Sequence, residues 1–226
     1  MPLGFNFKRT HRYNVSAKDL SVIPIFTLDY SCIEYTISSS TTGKDALEFI
    51  AQRLELNEIC YFGFKYEAKD NQMRWILLTK PIKKQLERFS GNVALYLGIM
   101  LYIDNPQFLP DQKLRQQFYL QLRSDISNGL IDITSKSAIK LSAYSLQADY
   151  GDFLDVESTI TRWRESPPVD VSVLPGAEEL STTQHSDDII WGYCHLRGVS
   201  HDNAIWYYLD ELKTIPTYYV QKFTVL

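Results

Sequence analysis

The stretch "KDALEFIAQRLELNEICYFGFKYE", Lys44 to Glu67, passes from a helical pattern to a strand pattern within a few residues, and that change decides the fold. Ala46, Leu47, Ile50, Leu54 and Leu56 recur close to helical spacing and share one apolar face, with Thr41 or Thr42 available as the cap. Tyr61 to Glu67, "YFGFKYE", is then rich in the aromatic residues that favour strands. Upstream, "VIPIFTLD" (Val22 to Asp29) and "CIEYTISS" (Cys32 to Ser39) read as two strands turning at Tyr30-Ser31, so the helix packs on a hairpin. Downstream, "MRWILLT" (Met73 to Thr79) pairs with Tyr61 to Glu67 across the polar turn Lys69 to Gln72. "PIKKQLERF" offers a short helical turn, and "NVALYLGIMLYI" (Asn92 to Ile103) is a last apolar strand broken by Asp104-Asn105-Pro106.

Strand, strand, helix, strand, strand, strand is the order of a ubiquitin-like β-grasp roll. After Pro110 the pattern turns helical, which makes the chain α+β with a second, helical subdomain. Asp111 caps a first helix with Leu114, Phe118, Leu122 and Ile126 on one face and Asn128-Gly129 as its stop. Thr134 caps a second, in which Ala138, Leu141, Ser142, Ser145, Ala148 and Asp149 share a face. Only Leu141 on that face is large, so a neighbouring backbone can come close, and the helix ends at Tyr150-Gly151. A weaker helical pattern runs from Ala177 to Leu196, and Ser200 caps a last one through Lys213. Four short helices make a compact bundle, and the Pro-rich "RWRESPPVDVSVLPG" between the second and third is expected to be a long surface connection.

The chain has 226 residues, of which 45% are hydrophobic and 22% charged, with a formal net charge of -4. That balance fits a soluble globular chain and argues against non-specific nucleic-acid binding. No apolar run approaches the roughly 20 residues of a membrane span, and the charges of "MPLGFNFKRTHRYNV" follow a short apolar patch instead of preceding a long one, unlike a signal peptide. Cys32, Cys60 and Cys194 are odd in number and far apart, which suits a reducing, cytosolic compartment.

Several separate blocks resemble the first two lobes of a FERM domain. "LEFIAQRLELNEICYFGFKY" and "RWILLTKPIKKQL" are similar to the helix, strands and Trp-containing hairpin of the first lobe. "FYLQLRSDISNGLID", "AIKLSAYSLQADYGDF" and "LRGVSHDNAIWYYLDELKTI" are similar to the opening helices, the Arg-Gly turn and the closing helix of the second. The opening residues, "AQRLEL" and "KPIKKQL" look most like the FERM region of Pez-type cytosolic protein-tyrosine phosphatases. The resemblance implies a basic arm over 1–19, a ubiquitin-like first lobe over 20–104 and an acyl-CoA-binding-protein-like helical second lobe over 105–215. A truncated tail over 216–226 leaves no room for the third, pleckstrin-homology-like lobe. It implies a non-catalytic interaction module, cytoplasmic and peripheral at the cytoskeleton or plasma membrane, whose partners are membrane, junction and cytoskeletal proteins. The alternative is the targeting region of a cytosolic tyrosine phosphatase whose catalytic domain lies outside this chain. Likeness of the bundle to acyl-CoA-binding folds does not carry over ligand binding, and no cofactor is implied.

Side-chain chemistry agrees. A tyrosine-phosphatase loop needs a His directly before its nucleophilic Cys and an Arg six places after it; "YCHLRG" puts Cys194 before His195 and Arg197 too close. No catalytic residue is therefore assigned. Cys194, His195, His201 and His185 lack the recurrent paired spacing of a structural zinc site, so no metal is assigned either. "KPIKK" carries Lys80, Lys83 and Lys84. In ezrin-like FERM domains lysines after the Trp strand meet anionic lipid, which makes these three the candidate lipid contacts. Pro81 breaks the usual Lys-Lys pair, and a solvated helix face with Lys83, Lys84 and Arg88 is the plain alternative. Trp75, Trp191, Trp206, Tyr207 and Tyr208 are expected to be core or interlobe packing.

Overall fold

The computed structural model describes residues 20–165 and 182–216. The arm over 1–19 and most of the tail lie outside them. Strands β1 (Ser21–Phe26), β2 (Cys32–Ile37), β3 (Phe62–Glu67), β4 (Met73–Trp75) and β5 (Leu95–Ile99) form one sheet in the order β2-β1-β5-β3-β4. β1 pairs antiparallel with β2 and parallel with β5, while β3 pairs antiparallel with β5 and β4. Helix α1 (Gly43–Leu54) crosses one face, and Ala46, Leu47 and Ile50 bury against Ile23, Ile25, Phe62, Phe64, Leu95 and Leu97. Alternation in β3 is what turns Phe62, Phe64 and Tyr66 towards this core. Thr42, not Thr41, is the α1 cap: its Oγ1 accepts from the Asp45 amide at 3.3 Å and its own amide donates to Asp45 Oδ2 at 2.7 Å.

Helices α3 (Gln112–Ser127), α4 (Ser135–Tyr150), α5 (Val156–Glu165), α6 (Thr182–Cys194) and α7 (His201–Leu212) form the second lobe, and the short α2 (Ile82–Phe89) belongs to the first. α4 is its centre. Ala138, Leu141 and Ala148 join the main core with Ala204, Ile205, Tyr208 and Leu209 of α7, and Ala143 and Leu146 pack with Ile189 and Tyr193 of α6. Small residues therefore serve two faces of α4, not one. A side chain added at Gly192 of α6 would reach Ala143 Cβ at 3.3 Å, a measure of how closely those helices approach.

Several elements depart from the expected bounds. β4 ends at Trp75 instead of Thr79, because Leu77 and Leu78 leave the sheet to bond Gln85 and the start of α1. β5 covers only the middle of the expected strand; the amides of Met100 and Leu101 both turn to the Tyr61 carbonyl, after which the chain departs for the second lobe. The first hairpin closes over Thr27 to Ser31, not over two residues, with Tyr30 at φ 63°. α5 has no clear signal in the sequence pattern: its Val, Thr and Ile content obscures the helical period, while Asp155 caps it by accepting from the Ser158 amide at 2.8 Å. The bundle accordingly has five helices among the described residues, and the expected connection begins inside α5 and continues over residues that lie outside the description.

The lobes meet on the far face of the sheet. β5 outruns β1, whose last pair with it is Phe26 to Tyr96, and the Ile99 amide donates instead to Gln121 Oε1 of α3 at 3.1 Å. Gln121 Nε2 donates to Asp125 Oδ1 at 2.8 Å, and the Tyr102 hydroxyl donates to the other carboxylate oxygen. Trp75 lies over Gly63 and Gly98, where an added Cβ would come within 3.3 and 3.0 Å of its ring, and Lys65 Nζ sits 4.7 Å from the ring centre.

Two outcomes follow from this packing. Substituting Ala148, which is 6% exposed, by Leu overfills the α4 interface and lowers stability by about 1–3 kcal/mol in urea unfolding; an unchanged midpoint would refute the close approach. Burial holds the Asp125 carboxyl above its ordinary range, with the Tyr102 and Gln121 hydrogen bonds and the charge of Lys65 acting in the opposite direction. A raised folded-state value means that the native state holds the proton more tightly. This group's contribution is full below the unfolded value of about 3.9 and is lost as pH rises through the folded one. Asp125→Asn removes the effect, so the variant gains stability relative to the parent as pH rises above about 3.9; a pH-independent difference would refute it.

Candidate functional site

Lys80, Lys83 and Lys84 all fall on one turn. Lys80 precedes α2, and Lys83 and Lys84 occupy its first turn with Lys80 and Lys84 exposed and Lys83 half-buried. Ile82 and Leu86 face the core, which fixes the orientation of the short helix. Gln85 shapes the turn: its Oε1 accepts from the Leu77 amide at 2.8 Å, and its Nε2 donates to the carbonyls of Leu77, Lys80 and Pro81 at 3.1, 3.2 and 3.3 Å. Nothing in the sequence pattern marked Gln85, since its role depends on the chain folding back from β4.

The lysine turn is joined to the start of α1. Thr42 and Pro81 form an isolated bridge, the Ile82 amide donates to the Thr41 carbonyl at 2.9 Å, and the Lys44 amide donates to the Leu78 carbonyl at 2.9 Å. The N-termini of α1 and α2 thus lie side by side, each the positive end of a helix dipole. Asp45 answers the dipole of α1 and its carboxyl is held below the ordinary range, chiefly by the Thr42 amide. α2 has no side-chain cap and no acidic residue in its first turn. Lysines there oppose the dipole, a cost of a few tenths of a kcal/mol each. Exposed Lys44 reaches Glu48 at 3.8 Å.

The remaining candidates are committed elsewhere. Cys194 is the last residue of α6, and the ring of His195 bonds the Trp191 carbonyl at 2.7 Å. His201 bridges the Ala148 carbonyl and Gln116 Oε1 at 2.7 and 2.8 Å, and the His185 side chain lies outside the description. Among the described residues no group of three His, Cys, Asp or Glu side chains could hold a metal ion. Tyr208 is buried as expected, and Trp206 and Tyr207 are 39% and 38% exposed. Trp191 corrects the packing expectation: it is 67% exposed and, among the described aromatic neighbours, touches only the tilted ring of His195, because Ile189 and Tyr193 take the inner face of α6.

A β-grasp sheet whose far face is completed by a helical bundle defines a FERM-type module. The chain belongs to the FERM family: residues 25–88 match the FERM N-terminal domain and residues 104–223 the FERM central domain. Over 158 residues it is 41% identical to human tyrosine-protein phosphatase non-receptor type 14 and 42% identical to rat type 21; each match covers 70% of this chain. The matched region spans only 13% of those relatives' length. The FERM domain of Drosophila Merlin, solved in complex with its C-terminal domain, superposes with a TM-score of 0.70 at 18% identity, over 85% of this chain and 64% of that one. No helix among the described residues is long and apolar enough to cross a membrane.

Gln85→Ala should release the lysine turn without unfolding the lobe. Hydrogen exchange at the Leu77 and Lys80 amides then accelerates, with a stability loss of about 1 kcal/mol; unchanged exchange at both would show that Gln85 does not hold the turn.

Proposed function

We propose that this chain is a non-catalytic FERM interaction module that helps localise a protein at the boundary between membrane and cytoskeleton, with Lys80, Lys83 and Lys84 as its contact to anionic lipid. The observation that carries this reading is the placement of Lys83 and Lys84 in the first turn of α2, which no side chain caps, beside the start of α1. Helix stability favours acidic residues there, so a local preference is set aside, as happens where a surface serves binding. Each lysine near an anionic surface contributes about 1 kcal/mol, which gives weak, salt-sensitive attachment. In sedimentation with phosphatidylserine vesicles, the Lys80→Gln/Lys83→Gln/Lys84→Gln variant should lose roughly two orders of magnitude in partitioning at 0.1 M salt. Parent binding should also collapse towards 1 M, where the screening length falls to about 3 Å. Binding by the triple variant at parent strength would refute the site.

A second reading is favoured by the identity to tyrosine phosphatases: the module is the targeting region of such an enzyme, whose chemistry lies outside these residues. Both readings assign no catalysis to the chain itself. Purified protein is expected to leave a phosphotyrosine peptide intact, and steady turnover abolished by Cys194→Ser would overturn that assignment.

A further inference from the structure

The loop between β2 and α1 carries a run of hydroxyl residues, Ser38-Ser39-Ser40-Thr41-Thr42, and it is the loop bonded to the lysine turn. Its base is organised by side chains. Thr41 Oγ1 accepts from the Ser38 amide at 2.8 Å and lies 3.0 Å from Ser38 Oγ, and Ser38 Oγ in turn lies 3.0 Å from Ser40 Oγ. Ser39 and Ser40 form the exposed tip. From Thr41 onward the chain is fixed to the α2 start by the Ile82 amide and the Thr42–Pro81 bridge. A charge placed at the tip therefore lies only a few residues along the chain from the Thr42–Pro81 bridge that joins this loop to the lysine turn.

We propose that Ser39-Ser40 is a phosphorylation site that switches off the lysine turn, an inference that rests on the lipid reading of that turn. A protein serine kinase would transfer the γ-phosphoryl group of ATP to a serine Oγ, forming the phosphoester, with the hydroxyl proton passing to the kinase base and ADP leaving. The phosphate brings about -1.5 to -2 charges at pH 7, which offset the positive charge of the lysine turn joined to this loop. That removes about two of the charges the turn would offer a membrane. At roughly fivefold per charge, vesicle partitioning falls about thirtyfold.

The test compares the full chain with its Ser39→Glu/Ser40→Glu and Ser39→Gln/Ser40→Gln variants on phosphatidylserine vesicles at 0.1 M salt, together with phosphopeptide mapping of the chain expressed in cells. The Glu pair is expected to lower partitioning by about thirtyfold and the Gln pair by less than twofold, with melting temperatures unchanged because both positions are exposed. Mapping is expected to find phosphate on Ser39 or Ser40. A parent chain that does not bind vesicles defeats the lipid reading and this inference with it. If the parent binds and the Glu and Gln pairs agree within twofold, or if the map finds no phosphate at the tip, the switch alone is overturned.

Discussion

The hydrogen bond from the Ile99 amide to Gln121 Oε1 is the constraint around which the two lobes are arranged. A β-grasp sheet runs β5 beside β1 in parallel, and here β5 extends past the end of its neighbour. The donor left over is buried, and a buried donor without a partner costs about 1–3 kcal/mol. Gln121 meets it from a different subdomain, with 6% of its surface exposed. The sheet of the first lobe is thus completed by a side chain of the second. The rest of the junction follows: Gln121 must hold its amide in one orientation, which Asp125 secures, and Asp125 must have its second oxygen satisfied, which Tyr102 provides. Gly98 leaves room for the Trp75 ring at the same place, and Gly63 leaves room for Met100 and the edge of that ring.

The second lobe has a comparable organising point at the end of α4. Gln147 donates to Asp152 Oδ1 at 3.0 Å and to the Val199 carbonyl at 2.7 Å, and Asp152 accepts from the Gly198 amide at 2.7 Å. Gly198 takes φ 82° and Gly151 φ 74°, conformations that other residues adopt at a cost. The Tyr193 hydroxyl reaches the Gly151 carbonyl at 2.7 Å from α6. Two blocks that carry the family resemblance, around Asp149 to Phe153 and around Arg197 to His201, are therefore two halves of one hydrogen-bonded structure. They hold α4, α6 and α7 together. Their specificity belongs to the fold, and it carries no argument about a ligand.

What was legible in the sequence divides along physical lines. Local signals with one strong cause are legible: the caps at Asp111, Thr134 and Ser200, the small face of α4 that meets α7, and the aromatic content of β3. Elements whose limits depend on distant partners are not. β4 and β5 end early because Gln85, Tyr61 and α3 redirect the chain, and α5 is a helix of β-branched residues whose capping signal at Asp155 outweighs their propensity. The lysine turn was visible as charge, but its location between two helix starts required the Thr42–Pro81 bridge, which no spacing rule reveals.

That location changes how the lysines should be weighed. On an ordinary solvated face, Lys83 and Lys84 would add solubility and little else, and their removal would be neutral. In the first turn of α2 their charge adds to the positive end of a helix dipole that no side chain caps, while the neighbouring start of α1 carries Asp45, already engaged with Thr42. Repulsion of this kind raises the free energy of the unbound state, and an anion brought to the turn lowers it again. On the reading proposed above, the gain would come on approach to an anionic surface and not on folding. Exposed lysines on flexible stems offer little geometric selection among anions, so a surface of this kind supplies attraction and orientation. On that reading selectivity for a particular membrane or partner would have to come from other surfaces acting at the same time, because three lysines at about 1 kcal/mol each supply only a weak attachment.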